Sequence, residues 1–581
     1  VRIERPRYRL IAALCAVAAA WVLVGAAAAS VEGLFAGSLP ASPSVALVRS
    51  PGDGSIATRE GTGHAAAAAE SDRSWSMGPS LLDRYRNLVG DFRFQPGSRE
   101  PSWGFLLSKT VLLGALIFGV IVLPRRCELW WTMLCAASAL LAFNILLDVG
   151  GVALTYNEPG WFGRSSVAPL FACFEPSFAW PVIGHVALIG SLLLFALPRL
   201  LSPACGPIVF GIVVFVAAVL GPASLGLSSP PRQVLHQFFF SGLDYIQYAG
   251  SLWDTPRMLR GYVASMPYLS VHASVHGPGP ILTLSLFRSV AGNSVFLLTT
   301  MLQVVAALLP VLTWLTARRF MEDGAARLAA WLLILTPSFH QFSFLSMEGV
   351  IALPLFGTAA LLVFCLFGRR STIGSTLLLG AMAYVSFSYS FSSAYLAPFG
   401  LFAAVLAVHW GLASRARAGK TVLYASGAFV AAYLLMRGAG FDLLACFWQA
   451  KEINAAMMGS AWRSPSHYFF SSSGTLGAFA IGCGIPVTAL WWIALRRCRG
   501  ERSIASCVIS SASATVLLLA LLGLYQWEVE RIWLFLVPWV CISAARPLHD
   551  IGRNAPRRAV AVLTVLWLQT LASELLLDTY W

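Results

Sequence analysis

The residues best equipped for chemistry crowd into 241–281, SGLDYIQYAGSLWDTPRMLRGYVASMPYLSVHASVHGPGPI, which holds Asp244, Asp254, Arg257, Arg260, His272 and His276. A carboxylate can accept a proton, and cationic or imidazole side chains can hold an anion. The stretch lies between strongly apolar segments and is too polar to cross a bilayer. Polar groups beside a membrane are costly, so a dense cluster of them marks a site. Three further sets follow. Glu348 opens an apolar run after TPSFHQFSFLSM. Lys451, Glu452, Arg463 and His467 fall within 439–474, and Glu528, Glu530 and Arg531 within LYQWEVERIW.

Each set also has a structural reading. Asp254 before Thr255-Pro256 has the position of a helix N-cap. Met258, Leu259, Tyr262, Val263 and Met266 form an apolar stripe opposite Arg257 and Arg260, so 255–266 reads as an interfacial helix. His272 and His276 have the i,i+4 spacing of a metal pair, which means something only on a helix. Pro267, Gly277, Pro278 and Pro280 argue against one there. With no cysteine or HExxH motif nearby, neither a fixed metal nor a cofactor is expected. Glu528 and Arg531 have i,i+3 spacing, with Trp527 and Trp533 beside them as ordinary interface anchors.

The elements that must position these residues are helices in lipid. The chain is 57% hydrophobic and 11% charged over 581 residues. Apolar runs of about 17–25 residues recur, the length needed to span a hydrocarbon core. Punctuated by Arg, Gly and Pro, they give about 15 spans, hence an all-α polytopic membrane protein whose extracytoplasmic loops and interfacial helices form the site. Residues 1–30 read as a membrane anchor or signal, and 31–103 as a largely disordered extracytoplasmic segment. Accessory spans then occupy 104–206, and the main helical core 207–581. The net charge of +14 comes from Arg in alternate short loops. That is the positive-inside signal of cytoplasmic loops, with no nucleic-acid partner implied. The acidic and histidine residues then share the opposite face, as one external site requires. There is no Walker loop, dinucleotide fingerprint or nucleophile elbow. Of the eleven cysteines, only Cys173 and Cys446 read as external, and little supports a disulfide between them.

Three stretches resemble segments of the bacterial GT-C-type polytopic glycosyltransferases, relatives of the protein O-mannosyltransferases and the lipid A aminoarabinose transferase. Asp244-Tyr245 followed by HASVHGPGPILTLSLF is similar to that family's His-Pro-Pro-Gly-Pro region. TPSFHQFSFLSMEGVIALP resembles its Pro…Asp/Glu…Pro stretch, and WEVERIWLFLVPW its Glu-x-x-Arg-(Leu/Ile)-Trp stretch. The chain has Gly277 where the family usually has a proline and Glu348 where Asp is commoner. It also has Asp244 alone where many relatives double the acid. The resemblance covers about 207–577 and implies transfer, with inversion, of a sugar from a polyprenyl-phosphate donor to a lipid, glycan or protein acceptor outside the cytoplasmic membrane. It implies Asp244 as general base, with Tyr245, Arg257, Arg260, His272, His276, Glu348, Glu528 and Arg531 around the substrates. Arg531, Arg257 or Arg260 and His276 are the cations expected at the leaving phosphate. The rival readings are a transporter or flippase for lipid-linked sugars, and a non-catalytic protein that keeps the fold.

Overall fold

The computed structural model describes Phe94–Gln95 and, from residue 103 onward, all of the chain except 124–126, 150–152, 155–164, 167–169, 171–172, 175–180, 203, 227–244, 251–253, 293, 345, 369–370, 459–460, 526–527 and 579–581. Helices dominate. The exceptions are two-residue strands. Phe94–Gln95 pairs with Ala153–Leu154, and Ser165–Ser166, Cys173–Phe174 and Leu577–Asp578 form one small antiparallel strip.

Among the described residues, eight helices are long and apolar enough to cross a membrane, or up to ten if each of two bent pairs is one span. This polytopic helical architecture matches the sequence reading, whose larger count of about 15 rests on apolar runs and their Arg, Gly and Pro punctuation. The first of those spans, at 10–29, lies outside the described residues. Others are cut by local geometry. Asp323–Leu335 stops at Thr336, whose side chain caps the short helix Pro337–Ser343. Pro465–Cys483 ends at Gly484, whose φ of +92° is one that L side chains rarely adopt, and the chain turns through 107° into Ile485–Arg497. Leu107–Val122, Val182–Ser191 and Ile373–Tyr389 are apolar but shorter than a span. Two stretches outside the expected spans are largely helical. Gly279–Ala291 is an apolar helix, and 439–474 contains Leu443–Met458 and the start of Pro465–Cys483.

Buried polar groups tie these helices together where apolar packing alone gives no register. The guanidinium of Arg327, 3% exposed, bonds the carbonyls of Leu200, Ser202 and Cys205 at 2.6, 3.1 and 2.7 Å and the Asp323 carboxylate at 2.6 Å. It thereby satisfies the Leu200 carbonyl at a helix C-terminus and pins the turn that follows. Glu128 pairs with Arg496, linking Glu128–Val149 to Ile485–Arg497. The helix Val537–Asn554 lies at the centre of the core. Trp539 packs with tilted rings against both Phe356 and Phe399, 4.9 Å from each ring centroid, which fixes it against Glu348–Phe367 and Leu396–His409. The segment just before this helix carries Glu528 and Arg531.

Candidate functional site

Arg531 sits in a single helical turn, Val529–Ile532, and is 4% exposed. Its Nη2 donates to Glu528 Oε2 at 2.5 Å and to His272 Nδ1 at 3.3 Å, and its Nε faces Glu348 Oε1 at 3.6 Å. The turn is held from behind by Ser338, whose hydroxyl donates to the Glu530 carbonyl at 2.6 Å. Gly482 makes that approach feasible, because a Cβ there would run into Ser338 Oγ and the Glu530 side chain. Glu348 is the first residue of Glu348–Phe367, so its carboxylate also lies at the positive end of a helix dipole. Glu528 adopts φ +55°, ψ +28°, and is the only non-glycine residue at positive φ among the described residues. Backbone strain of about 1–3 kcal/mol persists where the surroundings enforce it, and such sites concentrate where function needs geometry.

The histidines approach from the other side. Val271–Ser274 is one helical turn, and Gly279–Ala291 begins immediately beyond it with Pro280 in its first turn. The prolines expected to exclude helix here therefore lie at helix starts, where proline is tolerated. His276 falls between the two turns, so the histidine pair does not share a helix face. Tyr245 joins the two, with its hydroxyl 2.6 Å from His276 Nδ1 and its ring centroid 6.3 Å from that of His272. The Tyr262 hydroxyl, fully buried, is shared between the carbonyls of Ala273 and His276 at 3.1 Å each. Gly277 is wedged against the main chain of Ser388, and a Cβ there would meet that carbonyl. That contact explains why glycine stands at a position where the resembling family carries proline.

Burial sets the charge states. Desolvation, reinforced by Arg531, lowers His276 from 6.5 to about 4 and holds His272 well below its ordinary value. Both rings are neutral near pH 7. Because a guanidinium only donates, His272 Nδ1 accepts and its proton resides on Nε2. Burial raises the Glu528 carboxyl, with Arg531 opposing that rise and Glu348 adding to it. Two carboxylates therefore share one guanidinium, an arrangement in which ionisation of one disfavours ionisation of the other.

The other expected site residues divide sharply. Asp244 lies outside the described residues. Arg257 and Arg260 are exposed on the outer face of Thr255–Ser265, whose opposite face buries Tyr262, and Arg260 lays its stem over Gly440. They do not join Arg531, and His276 is neutral, so of the cations expected at a phosphate only Arg531 is in the cluster. Asp254 holds the N-cap position of that helix without making a side-chain cap bond. Lys451 and Glu452 are exposed, Lys451 over the Trp448 ring at 4.7 Å, and the side chains of Arg463 and His467 lie outside the described residues. Cys446 is a buried free thiol, 3.5 Å from the Met266 sulfur. The sequence reading missed Ser338, Tyr262 and Gly482 as supports of the cluster. Tyr262 alone had a signal, as the polar-tipped member of an apolar stripe. Among the described residues, no group of three or more His, Cys, Asp or Glu side chains is placed to hold a metal ion.

No family model and no curated protein matches the chain. Three structures of the Archaeoglobus fulgidus oligosaccharyltransferase are similar in fold: with zinc and sulfate, with an inhibitory peptide and a dolichol-phosphate, and in the apo form. Their identities are 15%, 13% and 14% and their TM-scores 0.42, 0.41 and 0.43, over 62–63% of this chain. The chain spans 53–56% of the length of those proteins.

Proposed function

We propose that this protein is a membrane glycosyltransferase that moves a sugar from a polyprenyl-phosphate donor to an acceptor hydroxyl at the outer face of the cytoplasmic membrane. One observation carries the reading. His272, Glu348, Glu528 and Arg531 come from the three stretches that resemble the glycosyltransferase segments, and they converge on one buried guanidinium although His272 and Arg531 are 259 positions apart.

In this reading the acceptor oxygen attacks the anomeric carbon as the bond from that carbon to the phosphate oxygen breaks on the opposite face. Configuration inverts. The acceptor proton passes to a carboxylate, Asp244 being the assigned base, and the phosphate leaves toward Arg531. If Glu348 and Glu528 were both ionised they would leave the trio with a net negative charge and repel that phosphate. One of them is therefore protonated in the donor complex, or gives up its place at Arg531 to the phosphate. Neutral His272 and His276 serve as hydrogen-bonding groups, with Tyr245 orienting His276.

The test is mass spectrometry of envelope glycans and lipid-linked sugars in cells with and without the gene. Loss of one sugar substituent, with its lipid donor accumulating on the outer leaflet, supports transfer. Unchanged glycans would remove the reading. One observation favours movement of lipid-linked sugars instead. His185 and His340 are 0% and 2% exposed, and His185 bonds Ser224 and Trp567 at 2.9 and 3.1 Å. Buried polar groups among apolar helices are what a translocation path needs. Accumulation of the donor on the inner leaflet would select that reading.

A further inference from the structure

Several buried hydroxyls on these helices bond back to their own helix. Ser511, Ser513 and Thr515 each donate to the carbonyl four residues earlier, at 2.7, 2.7 and 2.8 Å. Ser471 and Ser472, 2% and 7% exposed on Pro465–Cys483, bond to nothing among the described residues. The indole N–H of fully buried Trp533 is likewise without a partner among them. A buried polar group left unmatched is destabilising, so three along one seam call for an explanation.

The seam has a definite course. Thr475 lies three and four residues beyond Ser472 and Ser471, which places all three on one helix face. Its hydroxyl donates to the Tyr525 carbonyl at 2.9 Å. The Tyr525 ring stands edge-on to Trp533 at 5.5 Å, Phe479 flanks Trp533 at 5.3 Å, and Ser392 bonds the Tyr525 hydroxyl. Two residues before Trp533 is Arg531. The seam is thus a row of hydroxyls, an indole N–H and aromatic faces, with no charge of its own, leading to the cationic cluster. Neutral hydroxyl donors and acceptors beside aromatic rings suit a polyhydroxylated ring and do not suit a phosphate.

We propose that this seam is the sugar-ring subsite of the protein, with Ser471, Ser472 and the Trp533 indole as its ring-hydroxyl partners. The assignment of the ring's carrier as a lipid phosphate at Arg531 rests on the function proposed above. These groups are closed over in the present conformation, so the ring enters as Pro465–Cys483 parts from Tyr525 and Trp533. Gly484, at φ +92°, is the break about which that helix turns.

Equilibrium binding to the purified full-length protein tests this with three probes: decyl phosphate, decyl-phosphate mannose or glucose, and the matching decyl glycosides. The quantity of interest is the affinity gained by adding the sugar to decyl phosphate. Ser471→Ala and Ser472→Ala are each expected to reduce that gain about 2–10-fold, one hydrogen bond's worth, with decyl phosphate bound as before. The unliganded variants should melt no lower than wild type, because each loses an unmatched hydroxyl. Arg531→Lys should do the converse, weakening decyl phosphate and sparing decyl glycoside. If the serine variants keep the full gain, lose both probes equally, or melt lower without ligand, the hydroxyls are structural and the subsite is refuted. So too if wild type gains nothing from either sugar and binds neither decyl glycoside. Wild type that binds a decyl glycoside through Ser471 and Ser472 but ignores decyl phosphate would keep the subsite and discard the lipid-phosphate donor.

Discussion

Arg531 donates to Glu528 across 2.5 Å while Glu348 stands 3.6 Å from its Nε, so one buried guanidinium serves two carboxylates. A structural ion pair and a phosphate anchor make different demands on that arginine. Arg531→Gln should cost about 3–5 kcal/mol by leaving a carboxylate uncompensated, and the double variant with Glu528→Gln should recover part of the loss. Arg531→Lys keeps the charge without the planar fork, so it should fold and bind a lipid-phosphate donor weakly. Thermal stability in detergent and donor affinity, measured on wild type, Arg531→Gln, Glu528→Gln, the double variant and Arg531→Lys, separate the roles. Strong coupling in stability with unaltered donor affinity in Arg531→Lys would make the arginine structural alone.

Gly277 offers a test that runs against the family resemblance. Restoring the family's proline by Gly277→Pro should damage the protein, because any Cβ here meets the Ser388 carbonyl, which is main chain and cannot rotate aside. Overpacking of this kind costs about 1–3 kcal/mol. The Tm of Gly277→Ala and Gly277→Pro checks it, and a proline variant as stable as wild type would contradict the contact.

The sequence made the helical membrane architecture legible because apolar length and charged punctuation are local properties. It also singled out His272, His276, Glu348, Glu528 and Arg531, because a charge in an apolar setting stands out without any knowledge of its partners. Partnership was not legible. Arg257 and Arg260 resemble Arg531 as residues, yet they face outward because Tyr262 fixes the opposite face of their helix inward. Gly484 looks like any glycine in a helix, and only its backbone angle shows that it divides a continuous apolar run. The supporting role of Ser338 depends on Gly482 and Glu530, both well over a hundred residues away, and no local pattern carries that information.

The histidines predict a pH dependence. His276 is lowered by burial and by Arg531 from 6.5 to about 4, so folding favours its neutral form. The stability it contributes is complete above 6.5 and is lost as pH falls through about 4. His272 acts in the same direction. Glu528, raised by burial, acts oppositely: its contribution is complete below 4.5 and is lost as pH rises through its folded value. Over this interval His276→Gln should lose less stability on acidification than wild type, and Glu528→Gln should lose more. Parallel curves of Tm against pH for the three proteins would mean that neither group is perturbed as its burial requires.

Topology is tested by impermeant thiol labelling at exposed positions. Ser274 and Ser472 look suitable from sequence, but they are 4% and 7% exposed and would resist a reagent from either side. Arg257 and Glu452 are exposed near the expected outer face, and Arg415 and Arg499 on the expected inner one. In a background without reactive native thiols, Arg257→Cys and Glu452→Cys should react in intact cells, and Arg415→Cys and Arg499→Cys only after permeabilisation. The reverse pattern would place the Arg531 cluster on the cytoplasmic side, where a lipid-linked donor has no advantage over a nucleotide sugar.

The assigned base is the remaining test, and it must separate proton transfer from placement. Asp244→Asn keeps size and hydrogen bonding but accepts no proton, so transfer should fall by about 10²–10⁴-fold with folding and donor affinity unchanged. A loss of donor affinity as well would mean that Asp244 places the substrate. Glu348 is the competing base, because it is buried at Arg531 and shares that guanidinium with Glu528. Glu348→Gln leaves the Arg531–Glu528 pair intact and electrically neutral. If Asp244 is the base, this variant should bind a phosphate donor at least as well as wild type and keep most of its turnover. If turnover survives in Asp244→Asn and collapses in Glu348→Gln, the proton goes to Glu348. The single-turnover rate with saturating donor decides between them, since it isolates the chemical step from binding.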